Sequence, residues 1–161
     1  MMETNELRNI HMLQDLSEDK LQKISGLANF RILNAETVLY SEGGNLNFLY
    51  MLLSGKIILE MDVSEDISVT LGVIKPRYTF GTSSLIPKAK SIATAFCVEP
   101  SEVISINAAE LLTLLEDDLE LGFLFMQRLL HIYESRLANR TTQFLQALKN
   151  HPELKRVFSK R

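Results

Sequence analysis

The chain has 161 residues, 46% of them apolar and 23% charged, with a formal net charge of −3. That length fits one domain with a sizeable core plus one appended element, and the near-neutral balance gives no general pull towards nucleic acid or anionic lipid. The lone cysteine, Cys97, excludes a disulfide framework or thiolate cluster within the chain, so a reducing cytoplasm is the expected compartment. No signal-peptide core and no run of 18 apolar residues is present, so neither secretion nor a membrane span is expected.

In chain order, residues 1–15 are mixed, with Ile10, Met12 and Leu13 suggesting a short helix or a segment laid on the domain. Ser17 followed by Glu18 and Asp19 reads as an N-cap with acids in the first turn. Leu21, Ile24, Leu27 and Ala28 then recur at helical spacing, predicting a helix over about 18–28. From Phe30 to Ile106 the period changes. Short runs at 30–33, 37–41, 48–53, 56–63, 67–74, 91–98 and 102–106, separated by turn residues, predict an all-β sandwich, jelly roll or small barrel. Ser54-Gly55 reads as its tightest hairpin.

Asn107 and Glu110 have the spacing of a capping box and open a short helix at Leu111–Leu115. Asp117-Asp118 repeats the signal and starts a long helix, 118–148. Along it Phe123, Met126, Leu130, Tyr133, Leu137 and Phe144 follow the 3-4 spacing of a helix-pairing seam, which Arg140 interrupts. Leu119, Leu129, Ile132 and Leu145 widen the apolar face, so one side is expected on the chain's own β block and the other on a second chain. Residues 149–161 form a basic tail, read as a solvated terminus that suits the helix dipole.

The stretch from Phe80 to Ala95 carries the chemistry. Gly81 lets the backbone approach a ligand closely, and Thr82, Ser83 and Ser84 place three hydroxyls beside the free N–H groups of a short turn, an arrangement suited to a small anion.

The order of helix, short-strand block with this turn before its last two strands, short helix and long seam helix resembles the cyclic-nucleotide-binding domain of the catabolite activator and Fnr class of bacterial regulators. Tyr40-Ser41-Glu42-Gly43 is similar to the family's strand ending in Glu-Gly. Residues 50–57 are similar to its Tyr-x-x-x-x-Gly-x-Val hairpin, and Phe80-Gly81 to the opening of its phosphate-binding cassette. The resemblance implies a mainly β fold with flanking helices: a β-roll (double-stranded β-helix, jelly-roll-like) followed by a short helix and a long C-terminal dimerisation helix. The implied organisation is an N-terminal segment 1–15, the domain proper 16–148 and the tail 149–161.

It also implies a cyclic nucleotide, cAMP or cGMP, held at Phe80, Gly81, Thr82, Ser83, Ser84, Lys90, Ser91, Ile92 and Ala93, with Tyr133 and Glu134 facing the base. Two departures oppose tight binding. The cassette's ribose-binding Glu is replaced by Thr82, and its phosphate-neutralising Arg by Ser91. A buried phosphate without a partner costs several kcal/mol. Lys90 stands one residue away, and in a strand a one-residue shift points a side chain to the opposite face.

No histidine falls in the β block, which excludes a cupin-type metal centre or a Ser-His hydrolase there, so no catalysis and no metal are expected. Too few residues follow Leu148 for a helix-turn-helix, so no DNA-binding domain is expected in this chain. Two functions remain: a regulatory domain that senses a small effector and signals through a homodimerising helix, or a degenerate dimerisation or protein-interaction module.

Overall fold

The computed structural model describes residues 4–151, which divide after Gly122 into two compact units. In the first unit a short helix α1 (Thr4–Arg8) and the helix α2 (Glu18–Ser25) precede eight strands. The leading segment is laid on the domain: Leu7, Ile10, Leu13 and Leu16 are buried, His11 N donates to Arg77 O at 3.0 Å, and the His11 ring meets Tyr78 edge-on. Glu18 ties it to α2 by accepting from Thr4 Oγ1 and the Arg8 guanidinium. Leu21 and Ile24 are the buried stripe of α2, which ends at Ser25, earlier than its periodicity suggests. Ser17 has N-cap backbone geometry but makes no side-chain cap bond.

The strands are β1 (Ala28–Leu33), β2 (Val38–Tyr40), β3 (Phe48–Ser54), β4 (Ile57–Ser64), β5 (Ile67–Ile74), β6 (Thr79–Phe80), β7 (Thr94–Cys97) and β8 (Ser101–Asn107). They form two antiparallel four-stranded sheets, ordered β1-β8-β3-β6 and β2-β7-β4-β5. The inner faces enclose a core built on Leu33, Tyr50, Leu52, Ile57, Ile74, Phe80, Cys97 and Val103. This is the β-roll that the family resemblance implies. Burial raises the Cys97 thiol pKa, with the Ser101 hydrogen bond acting in the opposite sense.

One expectation is overturned. Ser54-Gly55 does not close a hairpin: β3 pairs with β6 and β8, β4 pairs with β5 and β7, and the turn carries the chain from one sheet to the other. Gly55 makes that corner at φ +90°, packed on Pro100 and Ser101. The hydrogen-bonded hairpin is β4–β5, turning at Glu65-Asp66. Strand β6 is not anticipated, because two residues show no period.

β8 leads into α3 (Ala108–Asp117), capped as predicted by Asn107, whose Oδ1 accepts from Ala109 N and Glu110 N. The long helix α4 (Leu119–Asn150) follows. Asp118 opens it: Oδ1 accepts from Leu121 N at 3.0 Å, and Oδ2 accepts from Lys23 Nζ at 2.8 Å. Lys23 also pairs with Asp19, and Lys20 with Glu120. The Lys23 hydrogen bond, then the Leu121 amide, hold the Asp118 carboxyl below its usual range. Asp118 and then Asp19 raise Lys23 above its own.

A lowered carboxyl contributes stability that is complete above the ordinary carboxylate pKa and is lost as pH falls through the lowered value. The raised lysine contributes below the ordinary lysine pKa and loses it as pH rises through the raised value. Between neutral and acid pH, the urea midpoint of Asp118→Ala is therefore expected to fall less steeply than that of the wild type. Parallel profiles would show that the carboxylate adds nothing in solution.

In the second unit Phe125 and Leu129 are buried, and Ile132 half-buried. From Tyr133 to Ala147 every side chain except Arg136 is exposed. Of the basic tail, Lys149 lies in α4, while Lys155, Arg156, Lys160 and Arg161 lie outside the described residues.

Candidate phosphate cassette

The cassette begins where β6 delivers Phe80 into the core and Gly81 turns at φ 73°, ψ 23°. A side chain at 81 would meet Phe48 O and the Tyr50 ring, each 3.1 Å from its Cβ. Thr82–Leu85 form a 3-10 turn closed by Ser84 N donating to Gly81 O, with Ile86 N donating to Ser83 O just beyond. Thr82 is buried, while Ser83 and Ser84 are half-buried. The Ser84 hydroxyl is shielded from solvent and has no hydrogen-bond partner among the described residues.

The return segment alternates. Ser91 and Ala93 are buried, whereas Ile92 is 69% exposed and Lys90 lies on the surface. Lys90 Nζ donates to Asn45 Oδ1 at 2.6 Å, and residues 45 and 90 form a backbone bridge. Its charge is thus used at the rim rather than inside the roll. Ser91 is fixed inward: its hydroxyl donates to Ala93 O, its N–H to Gly44 O, and its carbonyl accepts from Gly43 N.

Glu42 N donates to Thr94 Oγ1 and the Glu42 carboxylate accepts from Asp62 N, so this residue staples the end of β2 to β4 and β7.

Between the sheets, beside Gly81, lies an aromatic cluster that sequence reading does not find. Tyr50 stacks on Phe80 at 5.3 Å and on Tyr40 at 6.1 Å, with Phe48 tilted against it. Its members come from three strands, β2, β3 and β6, so no local pattern announces them. Burial raises the Tyr50 phenol pKa, and the nearby Arg31 guanidinium acts in the opposite sense. The inward-facing part of the cassette therefore presents aromatic rings and hydroxyls and no charged side chain at position 82 or 91.

Tyr133 and Glu134 belong to the second unit. Glu134 Oε2 lies 3.5 Å from His131 Nδ1, one turn earlier on α4. The seam residues Phe123, Met126, Leu130, Tyr133, Leu137 and Phe144 are all exposed, Leu130 at 72% and Leu137 at 68%. No group of metal-ligating side chains occurs among the described residues, and no helix there is long and apolar enough to cross a membrane.

Residues 30–118 match the family model of the cyclic nucleotide-binding domain, and the chain belongs to that family. No curated protein matches it. It is similar to a protein of Geobacter metallireducens described as cyclic-nucleotide-binding, with 25% identity, a TM-score of 0.75 and coverage of 85% of this chain and 99% of that one. It also resembles the Thermus thermophilus catabolite activator protein (20% identity, TM-score 0.72, 85% of this chain and 63% of that one). A third likeness is to the regulatory domain of Toxoplasma gondii PKA, solved with cAMP (21%, 0.59, 66% and 41%).

Proposed function

We propose that this chain is a non-catalytic regulatory module that acts by pairing its long helix with that of a second copy, and that its roll does not hold cyclic nucleotide through the family's charged contacts. The exposed seam of α4 carries the reading. An uncovered helical stretch of about four turns, such as residues 133–147, is marginal in water, and most helical stability comes from covering an apolar face. Leu130, Tyr133, Leu137 and Phe144 expose such a face at seam spacing. β8 runs directly into α3 and α3 into α4, so the pairing helix is continuous in sequence with the roll.

Leu130→Glu tests it. Burying a leucine contributes roughly 1.5–3 kcal/mol. A two-fold interface loses that twice, so the dimer Kd is expected to rise by a factor of roughly 10² to 10⁴. Light scattering on a sizing column should show a dimer for the wild type and a monomer for the variant. A wild-type chain that stays monomeric at high concentration would sink the proposal.

The orphaned Ser84 hydroxyl beside the left-handed Gly81 favours a second reading, in which the cassette holds a small effector. A ligand that binds only the folded chain raises its melting temperature. A saturable rise with cAMP or cGMP would establish the effector reading. No shift at millimolar nucleotide is the outcome expected from a cassette lacking Glu and Arg and facing Tyr40, Tyr50 and Phe80.

A further inference from the structure

The outer face of the second sheet carries a feature that neither the roll nor the seam uses. Val38 stands opposite Phe96, Phe96 opposite Ile58, and Ile58 opposite Val73. The neighbouring residues Ala95, Cys97, Ile57 and Ile74 are buried inside the roll, so these four point outward. They make one apolar row across all four strands, Val38 49% and Val73 46% exposed, with Phe96 and Ile58 half-buried.

Continuing the same register by one residue sets Lys56 opposite Lys75, and Val98 N donates to Lys56 O, which puts Val98 beside them. Both lysines line a groove of about 390 Å³ with Gly55, Val73, Pro76 and Glu99. Neither has an ion-pair partner among the described residues. Like charges directly opposite each other across a ladder are destabilising. An exposed apolar row flanked at its β4–β5 end by such a pair marks a surface completed by an acidic partner.

We infer that this face docks an amphipathic helix of another protein, laid across the strands, with its acidic end over Lys56 and Lys75. Four strands at their usual spacing set the row's ends about 14 Å apart. Helix side chains at i, i+4, i+7 and i+11 span roughly 16 Å on one face. An anion between the lysines removes their repulsion, and the apolar row supplies the buried area. The inference does not depend on helix pairing by α4.

The test titrates the isotopically labelled full chain with a synthetic helical peptide bearing leucines at those four positions and two glutamates at one end. A control peptide has lysines in place of the glutamates. Saturable NMR shifts are expected at the amides of Val38, Ile58, Val73 and Phe96, with the control binding at least about tenfold more weakly. Lys75→Glu should abolish that preference. It should also raise the melting temperature of the free protein by roughly 1–4 °C, because a like-charged pair becomes an opposite one. Together those effects separate a docking role from a purely structural one, which would not couple a gain in stability to a loss of binding.

Equal affinity for the two peptides, absence of shifts, or shifts confined to other elements would overturn the inference. So would concentration-dependent shifts of the same four amides without peptide, which would assign the face to a second copy of the chain.

Discussion

Phe80→Ala is expected to lower the unfolding free energy by about 3–5 kcal/mol, the usual cost of truncating a buried phenylalanine. Phe80 is fully buried, stacks on Tyr50 at 5.3 Å and lies 6.5 Å from Tyr40. Its loss removes burial and leaves a void that the two tyrosines, anchored on separate strands, fill only in part. Urea unfolding measures the change, and Phe80→Leu should cost clearly less because it keeps most of the volume. A loss below about 1 kcal/mol for the alanine variant would mean that the rings do not form part of the core.

Gly55→Ala ranks next, at about 2–5 kcal/mol. The residue sits at φ +90°, where a side chain adds roughly 1–2 kcal/mol of strain. Its Cβ would also collide with Ser101 Oγ and lie 2.6 Å from Pro100 O. The backbone must shift to accommodate it, and overpacking of that kind typically costs 1–3 kcal/mol. Gly43→Ala is the control. Its φ is +71°, yet nothing lies within 4 Å of a Cβ there, so it should show strain without collision. Equal losses for the two variants would remove the steric argument at Gly55.

These two positions mark the limits of what the chain discloses before it folds. Short β-branched runs, the Asn107 cap and the 3.6-residue period from Phe123 onwards are local signals, and each appears where it is expected. Alternation also foretells that Ser91 and Lys90 point apart, since parity within a short segment needs no distant information. Ser54-Gly55 announces a sharp turn, but a turn does not say which sheet receives the next strand. That is decided by pairing of β3 with β8, roughly fifty to sixty residues further along the chain. The Tyr40, Phe48, Tyr50 and Phe80 cluster and the row from Val38 to Val73 are assembled in the same way, from strands whose adjacency no local pattern encodes. Arg140, exposed within the seam, has no explanation in the structure.

Strand β5 lies at the edge of its sheet, and its sequence, Ile-Ser-Val-Thr-Leu-Gly-Val-Ile, contains no charge and no proline. Such an edge is a template for aggregation, usually blunted by lysine, proline or irregular geometry. Only the last is present in β5: the ladder with β4 shifts register between Leu59 and Glu60 and again between Asp62 and Ser64. Bulges twist an edge away from flat stacking. The protection of this edge against stacking therefore rests on an irregularity in its pairing. A change that regularised β4 would strengthen the hairpin while exposing a flat, uncharged edge to every neighbouring molecule.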